Sequence, residues 1–162
     1  MRAELENPFT DIRELQAVTM LAHEAYRLWE AGQDCGLVLN QLRTITGKPI
    51  SKFSIDAAFG SVSPDTFARQ MLLDQIALPR DLTRDEMLEL IERECAAKGD
   101  EFQLGYWIKC LEVNTGDDGI SDLIFWPGEY FADGNNSREL SAVEILDTAL
   151  AKANVTHRTK PA

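Results

Sequence analysis

The residues that could perform chemistry are few, and none of them completes a recognised catalytic pattern. Asp117 and Asp118 lie close to Asp122 in the sequence, and clustered carboxylates can suggest a loop that binds a cation. The alternating ligands and the terminal glutamate of a calcium-binding loop are missing, however. Carboxylates are abundant in this chain, so some will lie close together by chance. The acidic loop by itself therefore predicts neither catalysis nor a metal site.

Histidine and cysteine positions argue in the same direction. His23 lacks the second histidine of a zinc-protease motif, and the other histidine, His157, lies near the end of the chain. The cysteines are isolated and odd in number, which fits neither paired metal ligands nor a disulfide framework: Cys35, Cys95 and Cys110. A phosphate-binding loop, a nucleophile elbow and a dinucleotide fingerprint are also missing. The sequence therefore predicts a protein without enzymatic activity, metal or cofactor.

The stretch from Asp118 to Gly128 holds the most informative side chains, the adjacent aromatics Phe125 and Trp126. Turn signals on both sides leave room for one or two helical turns or a very short strand. Adjacent side chains point in different directions, so one ring can anchor the core while the other faces outward. Exposed aromatics beside acidic residues are typical of the centre of a protein–protein interface. The alternative is a pair of ordinary core aromatics in a tight connection.

Helix signals surround this motif in the second half of the chain. Capping boxes with hydrophobic staples predict two helix starts, at Thr83 and at Ser141. Asp100 is expected to cap the helix between them, and Gly99 to close the unit before it. The positions assigned to apolar stripes are Met87, Leu90, Ile91 and Cys95 (or Glu94), then Leu104, Ile108 and Leu111, and finally Val143, Leu146 and Leu150. A long polar loop is expected over 128–138, and a frayed tail over 156–162.

The first half, residues 1–77, is also expected to be helical. Asn7-Pro8 predicts the start of a long helix that ends at Ala31-Gly32, a second helix covers 34–46, and Ser63-Pro64 opens another. Gly47 is the expected stop of the second helix. The apolar residues of 48–59 follow neither the helical nor the strand period cleanly. The residues expected inward are Ile12, Leu15, Val18 or Thr19, Ala22, Tyr26, Trp29, Val38, Leu42, Ile45, Ile50, Phe53, Ile55, Phe59, Phe67, Met71 and Leu72. The predicted fold class is all-α throughout.

Charge is unevenly distributed along the chain. Residues 1–77 carry ten acidic and seven basic side chains, whereas residues 78–155 carry seventeen acidic and seven basic. Such a field repels nucleic acid and favours fast association with a basic partner; the alternative is that it serves solubility alone. Membrane-length apolar runs and signal-peptide features are missing, which predicts a cytoplasmic protein.

Residues 78–155 resemble the colicin- and pyocin-type DNase immunity proteins, which are small acidic four-helix proteins. The run Ser121-Asp-Leu-Ile-Phe-Trp-Pro127 is similar to the Asp-Leu-Ile-Tyr-Tyr-Pro third helix of that family. The segment 82–87 resembles the entry to its first helix, 100–113 its variable second helix, and 141–151 its fourth. The resemblance implies a four-helix bundle with a very short third helix over 78–155. It has no counterpart for 1–77, which is either an unrelated helical extension or a degenerate duplicate.

Inhibition of a basic nuclease toxin by binding beside its active site is what the resemblance implies for function. Carried over by position, the partner-binding residues are Glu101, Leu104, Gly105, Lys109 and Glu112 on the second helix, and Ser121, Asp122, Phe125 and Trp126 on the third. The family's paired tyrosines are replaced by Phe125 and Trp126, so hydrogen bonds from their hydroxyl groups are lost or pass to the indole N–H. Gly105 should cost its helix up to about 1 kcal/mol relative to alanine. An adaptor module that keeps the fold without a toxin is the alternative.

Overall fold

The computed structural model of the chain describes residues 1–9 and 12–159. Within them the chain is all-helical and contains no strand. The α-helices are α1 (Ala3–Glu6), α2 (Ile12–Glu30), α3 (Gly36–Thr46), α4 (Lys52–Phe59), α5 (Pro64–Leu72), α6 (Arg84–Cys95), α7 (Glu101–Thr115), α8 (Ile120–Phe125), α9 (Pro127–Tyr130) and α10 (Ala142–Thr159). A 3₁₀ turn, Leu73–Gln75, follows α5. None of the helices described combines the length and apolar composition needed to cross a membrane.

The helices form two compact units. The N-terminal unit is Glu6–Ile76, and the C-terminal unit is Ala77–Ala162 together with Met1–Leu5. In the C-terminal unit α6 packs against α7, α8 and α10, around a core that includes Leu90, Ile91, Leu111 and Leu146. The first five residues therefore pack with the distant half of the chain rather than with the helices that follow them.

In the N-terminal unit α2 packs against α3, α4 and α5. Its buried face is Leu15, Val18, Ala22 and Ala25, spaced as one side of a helix requires. The other core residues of this unit are Cys35, Leu39, Leu42, Ile50, Ile55, Phe67, Ala68 and Leu72.

Helix starts that rest on local hydrogen bonds are confirmed. The Thr83 hydroxyl accepts from the Glu86 N–H, and the Glu86 carboxylate accepts from the Thr83 N–H at 2.8 Å. Ser141 and Glu144 repeat this exchange, Asp100 caps α7, and Ser63 caps α5 with Pro64 at its first position. Gly47 ends α3 at φ 66°. These devices need only residues within one turn, which is why the sequence reveals them.

Other boundaries differ from prediction. The long helix starts at Ile12 rather than Pro8, although the Asn7 side chain accepts from the Phe9 N–H as an N-cap residue would. Part of the expected loop 128–138 is the helical turn α9, which begins at Pro127. The last helix runs to Thr159 instead of ending before Thr156, and 160–162 lie outside the described residues.

Several side chains expected in the core are exposed, and others replace them. Ile12, Phe53 and Val143 face solvent, and Val38, Ile45, Met71 and Leu150 are half-buried. Glu94 is buried in α6 while Cys95 is exposed, so the stripe of α6 runs through the carboxylate. In α7 the inner face is Phe102, Tyr106, Trp107, Cys110 and Leu111, whereas Leu104 and Ile108 are half-exposed. The larger aromatic rings of α7 bury more apolar area, so they determine which face turns inward.

The two units end their second helices in the same way. Thr46 and Thr115 are both buried, and each hydroxyl donates to the carbonyl four residues earlier, at 2.8 Å and 2.7 Å. A left-handed glycine follows in each case, Gly47 and Gly116, with its N–H bonded to the carbonyl four residues before it. A serine-capped helix follows later in each unit, after one short helix in the N-terminal unit (α4) and after two in the C-terminal unit (α8 and α9). Both interpretations of 1–77, an unrelated helical extension and a degenerate duplicate, stay predictions.

Candidate interaction surface

The short helix α8 is held to the C-terminal unit by its inner face. Ile120 and Leu123, one turn apart, are fully buried. The loop before α8 is fixed by Asp117, whose carboxylate accepts from the Gly119 N–H at 3.0 Å. It also accepts from the Tyr130 hydroxyl at 2.6 Å and pairs with Lys152 at 2.9 Å. The buried Asp117 thus links this loop to α9 and α10.

Electrostatics explain why Asp117 stays ionised although it is buried. Burial acts to raise the pKa of Asp117, but hydrogen bonds from Tyr130, Lys152 and the Gly119 N–H together hold that pKa below its ordinary value. Lys152 also lies 4.3 Å from the centre of the Tyr130 ring. Because all these partners are residues of the same unit, Asp117 acts as a structural anchor for the loop. In the part of the chain described, no three acidic, histidine or cysteine side chains are arranged as a metal site requires.

Phe125 and Trp126 are both exposed, 47% and 58% respectively. The expectation that one of the two rings anchors the core is wrong, because Ile120 and Leu123 take that role. Pro127 explains the position of Trp126: a residue before proline is disfavoured in the helical region, and Trp126 has φ −137° and ψ 58°. The helix therefore ends at Phe125, and the next turn begins at the proline.

Acidic side chains surround the aromatic pair along the chain. Asp118, Asp122 and Glu129 are exposed, and the sequence contains neither lysine nor arginine between Lys109 and Arg138. Several basic groups of the C-terminal unit form ion pairs within it: Arg84 with Asp147, Arg93 with Glu89, Arg138 with Asp133, and Lys152 with Asp117. We name Asp118, Asp122, Phe125, Trp126 and Glu129 the aromatic–acidic surface.

The predicted residues of the second helix share one side of α7. Glu101 is exposed, and Leu104, Gly105, Lys109 and Glu112 are half-exposed. At 3.6 residues per turn Glu101, Gly105 and Glu112 lie opposite the buried Cys110, whereas Leu104 and Lys109 lie at the two edges of this side, next to the buried Leu111 and Phe102. The helix runs unbroken through Gly105.

Glu112 lies close to the loop that carries the aromatic–acidic surface. Its pKa is raised by burial and, secondarily, by the charges of Asp118 and Asp117, while Lys109 opposes the rise. Glu101 lies at the other end of α7, roughly 16 Å along the helix axis from Glu112. Glu112, in the last turn of α7, therefore lies beside the α7–α8 loop, whereas Glu101 lies at the far end of the helix. Ser121 is half-buried beside Asp122.

One aromatic residue near this surface was not predicted. Phe131 is 36% exposed, and the Arg138 guanidinium lies over its ring, 4.2 Å from the centre of that ring. Gly128 allows the chain to fold back here, because a Cβ atom on it would lie 2.5 Å from the Asn135 nitrogen. Pro127 at the start of a helical turn is the sequence signal for this arrangement.

Known protein families, curated sequences and solved structures give no significant match to this chain. The resemblance to the DNase immunity proteins therefore stays a prediction drawn from the motif Ser121–Pro127.

Proposed function

We propose that this chain is a non-enzymatic inhibitor that binds a basic nuclease toxin through the aromatic–acidic surface. Phe125 and Trp126 insert into the partner as central anchors, and the carboxylates around them complement its positive charge. The outward face of α7 contributes contacts that select the partner. Nucleic acid is then excluded from the toxin by the bulk of the C-terminal unit and by its negative charge.

The observation that carries this proposal is the exposure of two adjacent large aromatic rings among exposed carboxylates. Exposing Phe125 and Trp126 to water is unfavourable by the free energy that their burial would release. Tryptophan and other aromatics dominate binding energy at the centres of protein interfaces, where they are fully desolvated. A surface of this kind is suited to being covered by a protein rather than by nucleic acid, which its charge repels.

The charge of the surface sets the expected kinetics and salt dependence. Asp118, Asp122 and Glu129 are exposed, so their attraction to a basic partner is screened within about 8 Å at physiological ionic strength. Association should therefore be steered at low salt and slowed as salt is added, while the apolar anchors are affected much less.

Titration calorimetry against the nuclease domain encoded beside this gene, at two salt concentrations, tests the proposal. We expect tight binding that weakens at the higher salt concentration, together with loss of nuclease cleavage at equimolar ratio. Absence of binding to a folded, active nuclease would refute the proposal. Binding that leaves cleavage unchanged would refute the inhibitory role.

An adaptor that binds a partner other than a toxin is the second candidate function. The observation that favours it is in the N-terminal unit, where Met20, Leu37 and Phe53 are 73%, 83% and 64% exposed. These side chains belong to the N-terminal unit and are not part of the aromatic–acidic surface. The two functions differ in gene neighbourhood, because an immunity gene should lie beside a toxin gene.

A further inference from the structure

The segment Arg2–Leu5 lies against the C-terminal unit as a peptide ligand lies in a groove. The side chain of Leu5 is fully buried. The Trp107 indole N–H donates to the Leu5 carbonyl at 2.7 Å, and the Tyr106 hydroxyl donates to the Glu4 carbonyl at 3.2 Å. Both donors lie 102 positions away along the chain, with the whole N-terminal unit between. The segment is therefore held by contacts and not by its neighbours in sequence.

A cationic contact fixes the other end of the segment. The Arg2 guanidinium pairs with Glu86 at 2.6 Å and with Asp81 at 3.1 Å. Glu86 is already held in place, since its carboxylate accepts from the N–H and the hydroxyl of Thr83 at 2.8 Å and 2.9 Å. The capping box of α6 thus presents an oriented carboxylate to the arginine.

The tryptophan of the groove is also held by contacts outside the segment. The Trp107 ring lies so close to Gly99 that a Cβ atom there would be 2.8 Å from the ring. The Arg93 guanidinium lies 5.7 Å from the centre of the Trp107 ring. With its ring held in this way, the indole N–H needs an acceptor, and the Leu5 carbonyl supplies it.

We propose that this surface of α6 and α7 is a binding groove for one helical turn of sequence Arg-x-x-Leu. Arg2 directly precedes α1, and the Leu5 N–H donates to the Arg2 carbonyl at 3.0 Å, so one turn of chain delivers the arginine to Glu86 and the leucine to the interior. Arg2–Leu5 fill the groove in this chain. Because recognition depends on these contacts and not on covalent continuity, a separate peptide of the same sequence occupies the groove when the chain's own segment is weakened.

The test uses the full chain with Leu5→Asp, labelled with ¹⁵N, and an unlabelled peptide of residues 1–9. In the variant the Trp107 indole resonance should shift from its wild-type position. Adding the peptide should return it, while the indole resonances of Trp29 and Trp126 serve as internal controls and stay in place. A folded variant whose Trp107 resonance does not respond to excess peptide would overturn the proposal.

Two matched changes test the chemistry of the groove. A peptide carrying Leu5→Asp should bind at least about tenfold more weakly than the wild-type peptide, because a leucine side chain is no longer buried. Glu86→Gln in the chain keeps the capping box, which accepts glutamine, and should reduce the effect of Arg2→Gln in the peptide, because only the pair with Asp81 then remains. An undiminished effect of Arg2→Gln in that background would contradict the assigned role of Glu86.

A variant that fails to fold still decides the question. If Leu5→Asp unfolds the C-terminal unit, the wild-type peptide should restore its helical circular dichroism in proportion to peptide concentration, and the Leu5→Asp peptide should not. Leu37→Asp is the matched control, because Leu37 is an exposed leucine of the N-terminal unit. Failure of the wild-type peptide to restore folding would refute the groove.

Discussion

Glu94 is the clearest case of a residue whose environment conflicts with its chemistry. It is 2% exposed, and its carboxylate oxygens have no hydrogen-bond partner. Burial raises the pKa of Glu94 from its ordinary value of 4.5 to about 7. The folded state therefore holds this proton more tightly than the unfolded chain does.

We expect Glu94→Gln to remove a pH dependence of stability. The contribution of the protonated carboxyl is fully present below pH 4.5 and is lost as pH rises through about 7. At pH 8 the variant should therefore be more stable than the wild-type protein, by up to about 3 kcal/mol, and at pH 4.5 nearly equal to it. Urea unfolding across this pH range measures the difference.

Glu92→Gln is the matched control for that comparison. Glu92 lies on the same helix but is exposed, so its loss should leave the pH profile of the unfolding free energy close to that of the wild-type protein. Equal effects of the two substitutions would show that burial of Glu94 is not the cause.

Phe125→Ala and Trp126→Ala should separate binding from folding. Each side chain is about half-exposed, so each loss should change the unfolding free energy much less than a truncation in the core. If the two rings are interface anchors, each loss weakens toxin binding by about 2 kcal/mol or more. Calorimetry of the purified variants measures this, with the exposed Val143→Ala as a control that should bind normally.

At the scale of elements, the hydrogen bonds and the ion pair of Asp117 determine where α8 lies. The partners of Asp117 are Tyr130 in α9 and Lys152 in α10, which lie 13 and 35 positions after it. The side chain therefore joins pieces that no local signal connects. An anchor of this kind rigidifies the loop that presents the aromatic–acidic surface.

Tyr130→Phe should destabilise the C-terminal unit by about 1–3 kcal/mol, because the 2.6 Å hydrogen bond to a buried carboxylate is lost. Asp117→Asn removes the other partner. In a double-mutant cycle the two effects should be non-additive by about 0.5–3 kcal/mol. Thermal unfolding of the two single variants and the double variant provides the measurement; strict additivity would mean that the two side chains do not act together.

At the scale of the whole molecule, the C-terminal unit is discontinuous in sequence. Its first five residues precede the N-terminal unit, and the remainder follows it. Leu5 connects the two pieces through a fully buried side chain. The N-terminal unit is thus an insertion between two parts of one structural unit.

Leu5→Ala should lower the unfolding free energy of the C-terminal unit by about 2–5 kcal/mol, the usual effect of truncating a buried leucine. Leu37→Ala removes the same atoms from an 83% exposed leucine and should change stability by about 0.5 kcal/mol or less. Urea unfolding followed at the Trp107 indole resonance reports on the C-terminal unit. Equal effects of the two truncations would contradict the discontinuous unit.

The sequence by itself determined the fold class and most helix starts. Thr83, Ser141 and Ser63 make their hydrogen bonds within one turn, so the residues that decide a start stand beside it in the sequence. The turn before α8 and the proline after it limited that element to one or two helical turns or a very short strand, and the structure shows the helix.

Only the tertiary structure decided burial where neighbouring side chains compete for the same interior position. Glu94 and Cys95 are neighbours one step apart on a helix, and packing against other elements selected the carboxylate for the interior. Phe125 and Trp126 both face outward because Ile120 and Leu123 occupy the core positions of α8. The contact between Leu5 and Trp107 spans 102 positions, a distance over which hydrophobic spacing carries no information about pairing. Local hydrogen bonds are encoded by adjacent residues, whereas burial is a competition among all elements for the same core.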